Sequence, residues 1–128
     1  MAKTENHILG LRTVIYANTE LEKAKEWYAD VLGFSPYFDE PFYVGFNVGG
    51  YELGIMPADE VNQPGGGGVL AYWGVENADA AFKRLISKGA TEREPVTEVG
   101  AGIKVATLFD PFGNVLGIIE NPNFELMK

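Results

Sequence analysis

Residues 110–120 read DPFGNVLGIIE, and this stretch decides the fold. Asp, Pro, Gly and Asn make a tight turn that hands directly to a β-branched apolar run. Gly117 sits in the middle of that run, where a glycine weakens a strand. It is filler, a point of close backbone approach, or the empty place of a side chain that would carry chemistry. Upstream, GIKVATLF (102–109) reads as a strand and REPVTEV (93–99) as an extended piece. ENADAAFKRLISKG (76–89) reads as a helix capped by Asn77, with Ala78, Ala81, Phe82, Leu85 and Ile86 facing inward. GVLAYWGV (68–75) is a strand before it, so the order is β-α-β-β-β.

The first half has the same plan. LRTVIYA (11–17) is a strand, and Thr19 with Glu22 has the spacing of a capping box at the start of a helix. Leu21, Ala24, Tyr28, Val31 and Leu32 form its apolar face. Gly33 ends that helix as Gly89 ends the second. Shorter β pieces follow at SPYFDE (35–40), FYVGFNVG (42–49) and YELGIMP (51–57), with Gly49-Gly50 as a hairpin turn. A repeat of this kind sets the architecture. The expectation is one domain over 1–128, with modules at about 10–57 and 69–121 joined by a linker at 58–68. The four glycines of that linker, ADEVNQPGGGG, lead into a strand, whereas a phosphate cradle needs a helix N-terminus.

Composition narrows the function. A net charge of −8 argues against nucleic acid, whose phosphates need Lys and Arg, and suits a cationic ligand. No apolar run is long enough for a membrane span and no secretory leader is visible, so a cytoplasmic location is expected. The absence of cysteine removes disulfides and thiolate chemistry.

The paired modules, with LEKAKEWYADVLGF in the first and VENADAAFKRLISKGA and DPFGNVLGIIE in the second, resemble the vicinal oxygen chelate superfamily. That group includes glyoxalase I, extradiol dioxygenases, fosfomycin-resistance enzymes and bleomycin-resistance proteins. The resemblance spans roughly 10–121 and implies an α+β fold: two tandem βαβββ modules forming a U-shaped mixed sheet around a cavity. Metal-dependent members place His and Glu ligands at four cavity-facing strand positions. Counted from the shared motifs, those positions fall here on Thr13, Gly54, Leu70 and Gly117. None offers imidazole, thiolate or carboxylate. The one histidine, His7, precedes the first strand. Neither metal nor other cofactor is expected, and Gly54 and Gly117 read as vacated positions that widen the cavity.

Alternation then assigns the cavity wall. Leu11 and Ile15 go with Thr13, Glu52 and Met56 with Gly54, Tyr72 with Leu70, and Val115 and Ile119 with Gly117. Tyr37, Phe38, Tyr43 and Phe46 fall near the mouth with their phase open. Such a wall resembles the metal-free bleomycin-resistance branch, which implies binding or sequestration of a small aromatic, cationic or neutral, molecule. Asp39 or Glu40 would add countercharge, and Lys104 is a candidate partner for Glu52. The alternative is a metal-independent lyase or isomerase with Glu52, its pKa raised by burial, as catalytic general base. A third reading is an interaction module with an incidental cavity. The family habit implies a homodimer, to which Phe124 and Leu126 could contribute.

Overall fold

In chain order the protein forms β1 (Thr13–Asn18), α1 (Leu21–Leu32), β2 (Phe38–Glu40), β3 (Tyr43–Val48) and β4 (Tyr51–Pro57). A second set follows: β5 (Tyr72–Gly74), α2 (Ala78–Ser87), β6 (Thr91–Gly100), β7 (Ile103–Phe109) and β8 (Val115–Glu120). The computed structural model describes residues 9–65 and 67–123. His7, Phe124 and Leu126 lie outside the described residues.

The class is α+β, built as two four-stranded mixed sheets of matching order, β1-β4-β3-β2 and β5-β8-β7-β6. In each, the first strand runs parallel to the last and the rest are antiparallel. The crossover helix follows from that parallel pairing, since parallel neighbours need a long connection.

Two-residue periodicity gives each sheet two unlike faces. On the first sheet Tyr16, Val44, Phe46, Leu53 and Ile55 point to α1, whose Ala24 and Tyr28 are fully covered. On the second, Ala106, Leu108, Leu116 and Ile118 point to the side of α2, which contributes Leu85. All belong to one apolar cluster, so the helical sides of both modules share a core. Truncating a ring such as Phe46 there costs about 3–5 kcal/mol.

Polar ties cross between the modules on the same side. The Tyr28 hydroxyl donates to Asp110 Oδ2 at 2.6 Å, and its ring stacks on Tyr16 at 5.9 Å. Trp73 Nε1 donates to the Tyr16 hydroxyl at 3.1 Å, and Trp27 Nε1 to the Lys88 carbonyl at 2.8 Å. Asp110 also accepts from the N–H groups of Phe112 and Asn114, both at 2.9 Å. This explains a buried aspartate in the DPFGN turn: both of its carboxylate oxygens accept hydrogen bonds, three in all. Burial nevertheless raises its pKa above the ordinary carboxylate value.

Several local expectations change. No side-chain capping bond forms from Thr19 and Glu22; Asn18 Oδ1 instead accepts the Glu20 N–H at 2.7 Å. Asn18 lies one residue further back, at the buried end of β1, and so reaches the orphan donor first. Asn77 does cap α2, accepting from Ala80 N–H at 2.9 Å. Ile86 is 40% exposed rather than inward. The strand expected over 68–75 is confined to Tyr72–Gly74, which leaves Leu70 on the approach to the sheet, outside the ladder. Gly33 takes the left-handed conformation that closes α1, and Gly49-Gly50, both with positive φ, make the β3–β4 hairpin.

Candidate functional site

The opposite faces of the two sheets carry the wall residues. Across the first sheet the register aligns Thr13 with Glu52 and Asn47, and Ile15 with Gly54, Gly45 and Phe38. Across the second it aligns Tyr72 with Gly117 and Thr107, and Gly74 with Ile119 and Val105. Val115 sits two residues before Gly117, on the same face. Met56 follows Gly54 in phase on β4. Thus Thr13, Ile15, Glu52, Gly54 and Met56 share one sheet face, and Tyr72, Val115, Gly117 and Ile119 share the other; Leu70 lies before its strand.

Glu52 is the centre of the one dense polar cluster on the first face. Its carboxylate accepts a bond from the Tyr43 hydroxyl at 2.6 Å and another from the Tyr37 hydroxyl. Because the Tyr43 proton points to Glu52, Thr13 Oγ1 donates in turn to the Tyr43 oxygen at 3.4 Å. Donors to the ionised form favour it. Tyr37 and then Tyr43 therefore hold the Glu52 carboxyl below its ordinary value, against a smaller opposing effect of burial. The expected raised pKa is reversed: Glu52 is a carboxylate at neutrality and a weak proton acceptor. In complement, the Tyr37 phenol is raised first by its bond to Glu52, and the Tyr43 phenol first by burial.

Lys104 is not the partner of Glu52. It belongs to the other face of β7, opposite Glu120, and its Nζ meets Asp79 of α2 at 3.2 Å. Asp39 is likewise engaged, with Lys25 of α1 at 3.1 Å. Phe46, left open in phase, is fully buried in the core. Tyr37 and Tyr43 are the residues that sequence reasoning left unassigned. The alternation of core residues Val44 and Phe46 was the available signal for Tyr43; Tyr37 precedes β2 and carries none. Phe38 and Phe42 extend the patch, with ring centroids 5.9 Å apart and Phe38 at 6.2 Å from Tyr43.

The two glycines do not open space. A Cβ on Gly54 would clash with the Tyr43 hydroxyl and lie 2.6 Å from Tyr43 Cζ. A Cβ on Gly117 would meet the Ala71 carbonyl oxygen at 2.5 Å and Tyr72 Cδ1 at 2.8 Å. Gly117 is thus a point of close backbone approach, and the reading that missing side chains widen the cavity is overturned. The donor set does not fit the divalent metal of the wider family. Thr13, Gly54, Leu70 and Gly117 supply one hydroxyl among them, and the space above both glycines is filled by side chain or backbone. Among the described residues no three His, Cys, Asp or Glu side chains converge.

A second polar group lies on the other face, where Glu94 Oε1 accepts from Thr107 Oγ1 and from Arg93 Nη1, both at 2.9 Å. Arg93 and Glu94 cover Thr107, which is fully buried.

Two sheets of equal order, each with its helix on one side and a partly apolar face on the other, define a paired-βαβββ protein. The family model of the Glyoxalase/Bleomycin resistance protein/Dioxygenase superfamily matches residues 6–118, and the chain belongs to that superfamily. A glyoxalase-related enzyme from Fulvimarina pelagi is 17% identical with a TM-score of 0.76, the match covering 94% of each chain. A glyoxalase/bleomycin resistance protein/dioxygenase family enzyme from Burkholderia phytofirmans PsJN is 21% identical with a TM-score of 0.71. That match covers 84% of this chain and 94% of the other. A superfamily member from Sphaerobacter thermophilus is 22% identical with a TM-score of 0.71, covering 89% of this chain and 98% of the other. No curated protein matches the chain. At these identities the structural likeness speaks for the fold alone. Among the described residues no helix is long and apolar enough to cross a membrane.

Proposed function

We propose that the face around Glu52 binds a small aromatic cation without a metal, in the manner of a drug-sequestering bleomycin-resistance protein. The observation that carries this reading is an ionised Glu52 set among aromatic rings. Tyr37 and Tyr43 use one lone pair on each oxygen, and a carboxylate has about four acceptor sites, so half remain for a ligand. Tyr37 and Phe42 are each 65% exposed and offer ring faces to a flat cation. The alternative of general-base catalysis loses ground, because the tyrosines depress the pKa that such a base needs raised. The proposal includes a homodimer in the cytoplasm, with a second copy shielding exposed wall residues such as Tyr72.

The test compares N-methylacridinium with neutral acridine at pH 7.5 by calorimetry, on wild type and Glu52→Gln. A charge contact at 4 Å is worth about 1–4 kcal/mol between water and a partly screened surface. The cation should therefore bind at least about fivefold more tightly than the neutral ring, and Glu52→Gln should remove that margin. Equal affinities in the wild type would overturn the reading.

A further inference from the structure

One edge of the first sheet is left over. At one end of the β1–β4 pair the Glu52 N–H donates to the Arg12 carbonyl at 2.9 Å, and at the other the Ala58 N–H donates to Asn18 at 2.8 Å. Arg12, Val14, Tyr16 and Asn18 therefore turn their backbone groups toward β4. Alternation turns those of Thr13, Ile15 and Ala17 the other way. On that side the strand order places no neighbour. The Ala17 carbonyl is taken by Asn114 Nδ2 at 2.8 Å. Among the described residues nothing meets the Ile15 N–H, the Ile15 carbonyl or the Ala17 N–H.

This edge forms one wall of a groove of about 380 Å³, lined by Val14 to Ala17 on one side and by Val61, Asn62, Gln63, Val69 and Ala71 on the other. Val61, Val69, Met56 and Val115 make its apolar surface, and Asn62 and Gln63 are polar points on the far wall. Asn114 is 3% exposed and joins the two walls: its Oδ1 accepts the Gly65 N–H at 3.0 Å while its Nδ2 holds Ala17. Glu52, Tyr37 and Tyr43 are not among the lining residues, so the groove is a different place from the carboxylate cluster, although both use the face of β1.

Main-chain donors and acceptors call for partners. A hydrocarbon would leave all three groups unmet, and a simple ion matches only one sign. An extended amide chain meets them in turn, with its N–H on the Ile15 carbonyl and its carbonyl groups on the Ile15 and Ala17 N–H. We propose that this groove binds a short extended peptide as an added strand on β1. At about 3.3 Å per residue, Thr13 to Ala17 spans ~13 Å, which a capped tripeptide fills. The groove volume sits at the small end of ligand pockets, roughly 300–1,000 Å³. Its apolar walls would take the alternate side chains.

The experiment titrates ¹⁵N-labelled protein with N-acetyl-Val-Ala-Val N-methylamide and, separately, with the depsipeptide in which an ester oxygen replaces the N–H of the alanine. Ile15 and Ala17 amide protons should move downfield with the peptide, and their hydrogen exchange should slow at least tenfold. Val14 and Tyr16, already paired with β4, should change little. The depsipeptide should bind at least tenfold more weakly, since it lacks the N–H for the Ile15 carbonyl. Four results would overturn the proposal: no shift at millimolar peptide, shifts centred on Glu52 and Tyr43, equal binding of the ester, or slow exchange of Ile15 and Ala17 in the free protein. The last would mean that the protein's own chain or a second copy already holds the edge.

Discussion

Replacing Gly117 with alanine adds one methyl group, and its environment fixes the sign of the outcome. The new Cβ would stand 2.5 Å from the Ala71 carbonyl oxygen, 2.8 Å from Tyr72 Cδ1 and 3.3 Å from the Ala71 carbonyl carbon. An ordinary contact is near 3.5 Å or more, so the backbone at Ala71 has to retreat by about 1 Å. Tyr72 could turn aside, but Ala71 is main chain at the entry to β5, a strand that pairs with β8 over three residues and is tied to Tyr16 through Trp73. Overpacking of this kind costs about 1–3 kcal/mol. Removing a glycine from the unfolded chain returns roughly 0.4–1 kcal/mol. The net expectation is destabilisation of about 1–2 kcal/mol, or a Tm lower by ~3–10 °C for a chain of this size. Thermal and urea unfolding measure it directly, with Gly74→Ala as control because a Cβ there meets nothing within 4 Å. A Gly117→Ala variant as stable as wild type, or more so, would refute close approach and restore the open-cavity reading.

Gly54→Ala should push the Tyr43 hydroxyl off Glu52, and a ¹³C carboxyl titration should show the Glu52 pKa rising toward its ordinary value. Tyr28→Phe leaves Asp110 Oδ2 buried without its partner, at a cost of about 1–3 kcal/mol in urea unfolding. For pH, the folded Glu52 pKa is lowered, so its contribution is present above the unfolded value and lost as pH falls through the folded one. N-methylacridinium affinity should hold from neutrality to below the ordinary glutamate value of about 4.3; a loss centred near 6 would contradict the assignment.

The fold was legible because its signals are local and repeated. Two helix periodicities, two stop glycines and the DPFGN turn each follow from neighbours in the chain, and the superfamily match agrees with them. Which residues share a sheet face was legible inside the ladders, since one position per strand sets every other by alternation, but Leu70 falls before β5 and outside that rule. What failed depended on side chains meeting across strands. Lys104 pairs with Asp79 because β7 turns it to the helix side, a fact fixed by register and hidden from composition. The capping box at Thr19 lost to Asn18, a residue whose position is set by the end of the β1–β4 ladder. The short β5 follows from the linker path, on which Asn114 anchors Gly65 from far along the chain.

The same distinction explains the two wall glycines. A glycine in a sequence shows only that a side chain is missing; whether space follows depends on what stands opposite. Opposite Gly54 a tyrosine hydroxyl stands too close to admit a Cβ, and from there it reaches the Glu52 carboxylate. A residue larger than glycine at 54 would therefore break the bond that helps keep Glu52 ionised. At Gly117 the occupant is the chain entering β5, so the missing side chain lets the 69–71 segment lie against the second sheet and form the far wall of the β1 groove. Both absences act through their neighbours: one seats a tyrosine hydroxyl on a carboxylate, and the other places a wall facing the edge of β1.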